Sequence, residues 1–211
     1  YKVTGVQTCA LPICTGLIVP LGRFVLRAAC ACLAQWAAVA DRAHLTVSVN
    51  ISPRQFHEDG FVECVREAMG DFDVGPGRLI LEITESMLLE NMDEVVATMV
   101  ELKASGVGFS LDDFGTGYSS LAYLKRLPLD EIKIDRSFVR DVLTDGNDAA
   151  IARTIIALAQ SLELAVVAEG VETGAQRDWL ARHGCQTFQG YYFGRPAPIA
   201  SPAAIEMAGA A

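Results

Sequence analysis

The stretch Ser110-Leu111-Asp112-Asp113-Phe114-Gly115-Thr116-Gly117-Tyr118-Ser119-Ser120 closes an apolar run, Val107 to Leu111, with two adjacent carboxylates. Two glycines around a threonine follow, then a segment that reads as a helix from Ser119. Carboxylates at the C-terminal end of a strand, ahead of a loop free to bend, suit a divalent cation, because Mg²⁺ takes hard oxygen ligands and keeps water and phosphate oxygens as the rest. The glycines permit positive φ and close approach of the backbone. Taken alone, an Asp-Asp pair is more often a turn cap beside a solvated side chain. The polar residues at other strand ends decide between these readings.

Working outward, the chain alternates strands and helices. Helical spacing runs from Leu17 to Ala40, starting near Pro20, a tolerated first-turn residue. A β-branched run, Leu45 to Ile51, ends at Ser52-Pro53. A short helical turn and a helix over Phe61 to Met69 come next, and Asp73 to Gly77 is a loop. Strands are expected at Leu79 to Thr84, Phe109 to Leu111, Glu131 to Ile134, Ala165 to Ala168 and Thr187 to Tyr192. Helices are expected at Met92 to Ser105, Ser119 to Arg126, Ala149 to Leu162 and Gly174 to His183, with a weakly helical tail from Ser201 to Ala211. Strand-then-helix alternation argues for a parallel sheet covered by helices. An open doubly wound sheet and a (β/α)₈ barrel both fit. The sequence has no G-x-G-x-x-G and no Walker A motif, so the nucleotide-binding open sheets lose ground.

Side-chain parity sharpens the choice. Side chains alternate faces along a strand. In every expected strand one face is aliphatic or aromatic, while the other carries a polar group near the C-terminal end: Asn50, Glu82, Asp112, Lys133, Glu169 and Gln189. A barrel whose C-terminal mouth collects these six is the economical arrangement, and that is where barrel enzymes keep their chemistry. An inward carboxylate or lysine is costly unless paired or metal-bound. Phe188, Tyr191 and Tyr192 read as packing aromatics. His44, His57 and His183 lack ligand spacing and read as structural, and the role of Arg54 stays open.

Composition bounds the function. The 211 residues fit one domain; 51% are hydrophobic, 20% are charged, and the formal net charge is −9. A nucleic-acid polymer is an unsuitable partner for such a surface, whereas a small phosphate ester binds if cations invert the local field. The six cysteines, Cys9, Cys14, Cys30, Cys32, Cys64 and Cys185, form no paired zinc pattern and suggest a reducing cytoplasm. The apolar stretch Ala28 to Ala40 is too short to span a bilayer. Residues 1–14 read unlike the rest and resemble a translated sequencing adapter, an artefact or a poorly structured leader, which leaves 15–211 as the folded domain.

In order along the chain, Val49-Asn50-Ile51-Ser52, Leu81-Glu82-Ile83-Thr84-Glu85, Asp112-Asp113-Phe114-Gly115-Thr116-Gly117, Ile132-Lys133-Ile134-Asp135, Ala168-Glu169-Gly170-Val171-Glu172-Thr173 and Gln189-Gly190-Tyr191 resemble the motif series of EAL-domain cyclic di-GMP phosphodiesterases. The resemblance covers about Thr15 to Pro198. It implies an α/β fold, a modified TIM-type (β/α) barrel, here incomplete with about six of eight strands. It also implies hydrolysis of cyclic di-GMP to linear pGpG with two Mg²⁺ or Mn²⁺ ions. Asn50, Glu82 and Asp112 would ligate one metal. Asp113 would serve the second or both, and Glu169 would complete the second site or help activate water. Lys133 would orient that water as an ammonium, since the surrounding carboxylates favour its charged form. Gln189 would hold water, metal or substrate, and Glu85 and Glu172 would brace the loop after Asp112-Asp113. A cytoplasmic domain fused to an upstream sensor or GGDEF domain, able to form a homodimer, is the family expectation.

The sequence departs from the family in one respect. The Glu-Ala-Leu motif, whose glutamate is a metal ligand in relatives, is absent. The expectation is therefore a truncated domain, itself inactive or impaired, from an active parent. A catalytically inactive cyclic di-GMP sensor is the alternative. A Schiff-base enzyme using Lys133 ranks last.

Overall fold

The computed structural model describes residues 16–89, 91–116 and 124–197. The leader, most of the helix expected at Ser119 to Arg126, and the C-terminal tail lie outside the described residues. The chain forms two compact units, one holding the described residues up to Asp112 together with Leu124–Asp130, the other Asp113–Thr116 and the described residues from Glu131 onward.

In the first unit, helix α1 (Ile18–Ala37) precedes strand β1 (Val47–Asn50), the single-turn helix α2 (Pro53–Phe56) and helix α3 (Phe61–Asp71). Strand β2 (Leu79–Thr84), a 3₁₀ turn (Glu85–Leu89) and helix α4 (Met92–Ala104) lead into strand β3 (Gly108–Phe114), whose last two residues belong to the second unit. The strands pair in parallel. Asn50 is in register with Glu82, Glu82 with Ser110, and Thr84 with Asp112. Leu79, Leu81, Ile83, Phe109 and Leu111 are fully buried on the opposite parity, beneath the helices.

Helix α1 buries Ile18, Gly22, Leu26, Cys30, Leu33 and Trp36 and packs on β1, α2 and α3. The recurrence at three and four residues is that of one helical face. At 20 residues it is longer than the apolar stretch read from the sequence, and by length and composition it could cross a membrane. Gly22 is needed for packing: a Cβ there would lie 1.6 Å from Gln55 Nε2. Gln55 closes the capping box of α2, its Oε1 accepting from the Ser52 amide and hydroxyl at 3.2 and 2.7 Å.

The second unit contains strand β4 (Glu131–Ile134), helix α5 (Arg136–Arg140), helix α6 (Gly146–Ser161), strand β5 (Ala165–Ala168), helix α7 (Gly174–Arg182) and strand β6 (Thr187–Phe188). β4 pairs with β5 and β5 with β6, again in parallel, with Lys133 opposite Val167 and Ala168 opposite Phe188. Six strands stand as expected, and β1–β2, β2–β3, β4–β5 and β5–β6 all pair in parallel.

Among the differences from the sequence reading, three have a plain physical reason. β3 continues through both aspartates, because Thr84 and Asp112 still pair. β6 stops at Phe188, since Gly190 brings the backbone against Val171, whose oxygen would sit 2.1 Å from an added Cβ. α5 is five residues long, too short for helical periodicity to reveal.

Burial pushes the thiols of Cys30 and Cys185 up to about 11. Their folded values lie above the ordinary 9.0, so this contribution to stability is complete below pH 9 and lost as the pH rises towards 11. Iodoacetamide at pH 8 should therefore modify half-exposed Cys64 but spare Cys30, Cys32 and Cys185 until urea unfolds the chain. Gly22→Ala should lower unfolding free energy by about 1–3 kcal/mol in urea titration, because the Gln55 amide must leave its place.

Candidate metal centre

The first unit positions three of the expected ligands by strand register. Asn50 and Glu82 are direct neighbours across β1 and β2. Asp112 lies two residues beyond Ser110, the register partner of Glu82, and so shares its face one repeat further along. Glu82 and Ser110 are buried, while Asn50 and Asp112 are half-buried. Glu85 is buried at the head of the 3₁₀ turn that follows β2.

The second unit brings charged groups into contact. Lys133 Nζ lies 2.5 Å from Glu169 Oε1, with side-chain exposures of 2% and 17%. Glu169 is the first residue past β5, two beyond the register partner of Lys133, so the lysine reaches up one repeat to meet it. The Glu169 amide donates to the Ile134 carbonyl at 3.1 Å, carrying the ladder past the end of both strands. Asp113 and Glu169 offer carboxylate oxygens within 4.8 Å of each other. Asp113 adopts a left-handed φ of 54°, and Thr116 closes the turn by donating its amide and hydroxyl to the Asp113 carbonyl at 3.3 and 2.8 Å. Gly115, at φ +95°, lies against Phe138 and Ile155.

Gln189 continues the β6 side of the ladder. Its amide donates to Ala168 O at 2.8 Å and its carbonyl accepts from Val171 N at 3.0 Å. Its side-chain Oε1 is buried and has no hydrogen-bond partner among the described residues. Leaving a buried acceptor without a donor is costly. The Asp113 and Glu169 carboxylates, with oxygens close together, are hard oxygen donors of the kind a hydrated divalent cation takes. Glu172 is exposed, and its backbone amide donates to Gln176 Oε1.

Other residues depart from the sequence reading or were absent from it. Tyr191 and Tyr192 are exposed, Tyr191 by 53%, so these two do not pack inside as expected; neighbouring Phe193 is exposed as well, and Arg195 and Arg177 lie over the Tyr191 and Tyr192 rings. Glu131 is buried two residues before Lys133 on the same face, a place the parity rule could have flagged. Asp130 accepts from the Phe109 amide at 2.7 Å and from Lys103 at 2.5 Å, holding the start of β3. His183 Nδ1–H donates to the Trp179 carbonyl at 2.7 Å and its ring lies against the Trp179 ring, in keeping with a structural role. Arg54 is exposed on α2.

Residues 9–196 match the EAL domain family. The chain belongs to that family. It is 48% identical over 186 residues to the bifunctional diguanylate cyclase/cyclic di-GMP phosphodiesterase MucR of Pseudomonas aeruginosa, covering 87% of this chain and 27% of MucR. It is 45% identical to the cyclic di-GMP phosphodiesterase NbdA of the same organism, covering 88% of this chain and 24% of NbdA. The chain thus spans about a quarter of the length of these relatives. The solved MucR phosphodiesterase in complex with c-di-GMP superposes with a TM-score of 0.87 at 47% identity, over 90% of this chain and 76% of that one. Klebsiella pneumoniae BlrP1 in a manganese/c-di-GMP complex gives a TM-score of 0.71 at 30% identity, over 82% of this chain and 44% of that one. The expected α/β fold is accordingly that of an EAL domain.

Removing Lys133 takes the 2.5 Å counter-charge away from the partly buried Glu169 carboxylate. Lys133→Met should cost about 3–5 kcal/mol in urea unfolding, and adding Glu169→Leu should recover part of the loss.

Proposed function

We propose that this chain carries the site of a metal-dependent cyclic di-GMP phosphodiesterase, which opens one phosphodiester of the cyclic dinucleotide to give linear pGpG, and that the 211-residue chain, without the Glu-Ala-Leu glutamate, is itself inactive or impaired. The observation that carries the reading is the buried Lys133–Glu169 pair with the Asp113 carboxylate close to Glu169. Such a group of charges costs stability without strengthening a core, whereas a cation and an anionic substrate give it a purpose. The c-di-GMP complexes of MucR and BlrP1 support the choice of substrate.

Asn50, Glu82 and Asp112 are the proposed ligands of one cation, and Asp113 and Glu169 those of another. Divalent cations, when bound, neutralise the phosphodiester and stabilise the entering and leaving oxygens. Lys133 holds Glu169 in place and presents N–H donors to water at the reacting phosphorus. Gln189 Oε1 accepts a hydrogen bond from that water and so fixes the direction of its lone pair. Water forms the new P–O bond as it gives a proton to the Glu169 carboxylate, the P–O3′ bond breaks, and the 3′-oxygen takes up that proton. Glu85 and Glu172 are proposed to support the segment after Asp113. Mg²⁺ and Mn²⁺ both suit these oxygen donors. The four free cysteines among the described residues favour a cytoplasmic setting.

The test is conversion of cyclic di-GMP by the 211-residue chain, and by the chain extended through the upstream reading frame of its gene, with Mg²⁺ or Mn²⁺. The expected product is pGpG from the extended form, with little or none from the 211-residue chain; chelator suppresses it, and Asp113→Asn and Glu169→Gln in the extended form each lower kcat by roughly 100-fold or more. Tight binding with no pGpG from either form under either metal would overturn the catalytic reading in favour of a sensor.

A further inference from the structure

The chain leaves the two strand ends that carry the Lys133–Glu169 pair by separate routes. After β4, Asp135 caps α5 by accepting from the Ser137 amide at 2.9 Å, and α5 ends at Arg140. After β5, Gly170 to Thr173 run as irregular backbone into α7. One side chain ties the routes together. Gln176 is 6% exposed. Its Oε1 accepts from the amides of Glu172 and Thr173, each at 2.9 Å, and from Thr173 Oγ1 at 3.2 Å. Its Nε2 donates to the carbonyls of Arg140 at 2.9 Å and Val139 at 3.3 Å.

The acceptor contacts belong to a capping box, in which a glutamine reaches back to the N-cap amide. The donor contacts do not: they cross 36 and 37 residues of sequence to the last turn of α5. The same segment is fixed at its other end by Gly170, where φ is +67° and an added Cβ would lie 2.6 Å from Arg136 Cβ. Val171, between them, is buried and bonded to Gln189 O. The loop leaving Glu169 is therefore held on α5 at two points, and α5 grows directly out of the strand that carries Lys133.

We infer that Gln176 is a positioning residue, which sets the Glu169 carboxylate against Lys133 and so shapes the cation site in this unit. The inference rests on the proposed phosphodiesterase reading. Gln176 touches no reacting atom; it acts through the backbone of Glu172 and Thr173. An amide is required because the site needs an acceptor on one side and a donor on the other, and neither a carboxylate nor an apolar side chain supplies both.

Gln176→Met retains the length and removes both functions, while Gln176→Glu keeps the acceptor and turns an oxygen towards the Val139 and Arg140 carbonyls. Mn²⁺ binding by calorimetry should weaken about 10-fold in both variants, a usual effect of losing a group that orients a ligand. At saturating Mn²⁺, kcat for cyclic di-GMP should fall about 10- to 100-fold with KM changed by less than about 3-fold, the signature of displaced catalytic groups. A purely structural glutamine would lower Tm yet leave Mn²⁺ affinity and kcat at their original values below the transition, and that result overturns the proposal. If Gln176→Met does not fold, Gln176→Glu decides alone on the same two readouts. An unsubstituted extended form, in which these variants are compared, that binds Mn²⁺ without making pGpG rejects the catalytic reading and leaves Mn²⁺ affinity to judge Gln176. One that binds no Mn²⁺ rejects both.

Discussion

A lysine ammonium almost fully removed from water needs a counter-charge, and the second unit is arranged to supply it. Lys133 sits mid-strand in β4 between Ile132 and Ile134, both fully buried on the other parity. Desolvating a single ammonium costs several kcal/mol. Glu169 offsets that cost at 2.5 Å. For the carboxylate to arrive there, β5 must end one residue earlier and the backbone must turn at Gly170. The turn in turn requires the absence of a Cβ facing Arg136. The pair thus constrains strand length, loop conformation and the docking of α5.

The same requirement explains the contrast between the faces of the strands. The parity that carries Ile132, Ile134, Val166 and Ala168 is apolar and supports the helical cover. The parity that carries Lys133 cannot close on itself as a dry core without leaving charged and amide groups short of partners, as buried Gln189 Oε1 shows. Polar residues at strand ends are tolerated because ladder hydrogen bonds continue past the last paired residue. Glu169 N to Ile134 O and Gln189 N to Ala168 O are examples. Ladder continuity makes their side-chain positions predictable even where a strand has formally ended.

That continuity is why so much was legible in the sequence. β2, β4 and β5 fall at the residues expected from apolar alternation, and parity alone placed Lys133 and Glu169 on one face. Legibility failed where a single backbone feature overrode the pattern. Thr187 to Tyr192 alternates like a strand, but Gly190 allows a contact with Val171 that no side-chain-bearing residue permits, and Tyr191 and Tyr192 turn outward. Thr173-x-x-Gln176 carries a readable capping signal, yet its donor contacts to Val139 and Arg140 depend on where α5 docks. A segment of five residues announces no helix by periodicity. Glu131 is legible by parity, since it shares a face with Lys133, but it lies at the start of β4 and not at the C-terminal end where the other polar groups fall.

The adjacent aspartates pose the remaining geometric problem. Neighbouring residues on a regular strand point to opposite faces, so Asp112 and Asp113 could not both serve one rim if β3 stayed regular. Asp113 departs from regularity through its left-handed φ of 54°. For an L-residue this costs roughly 1–2 kcal/mol, less for aspartate, whose short polar side chain tolerates the region. Thr116 offsets part of the cost by closing the turn onto the Asp113 carbonyl, and Gly115 lets the turn lie against Phe138 and Ile155. The reversal carries the Asp113 carboxylate to within 4.8 Å of an oxygen of Glu169. Gly115 and Thr116 therefore do more than permit a bend: they hold the Asp113 carboxylate close to Glu169, which is a chemical reason for their place in the sequence beyond turn propensity.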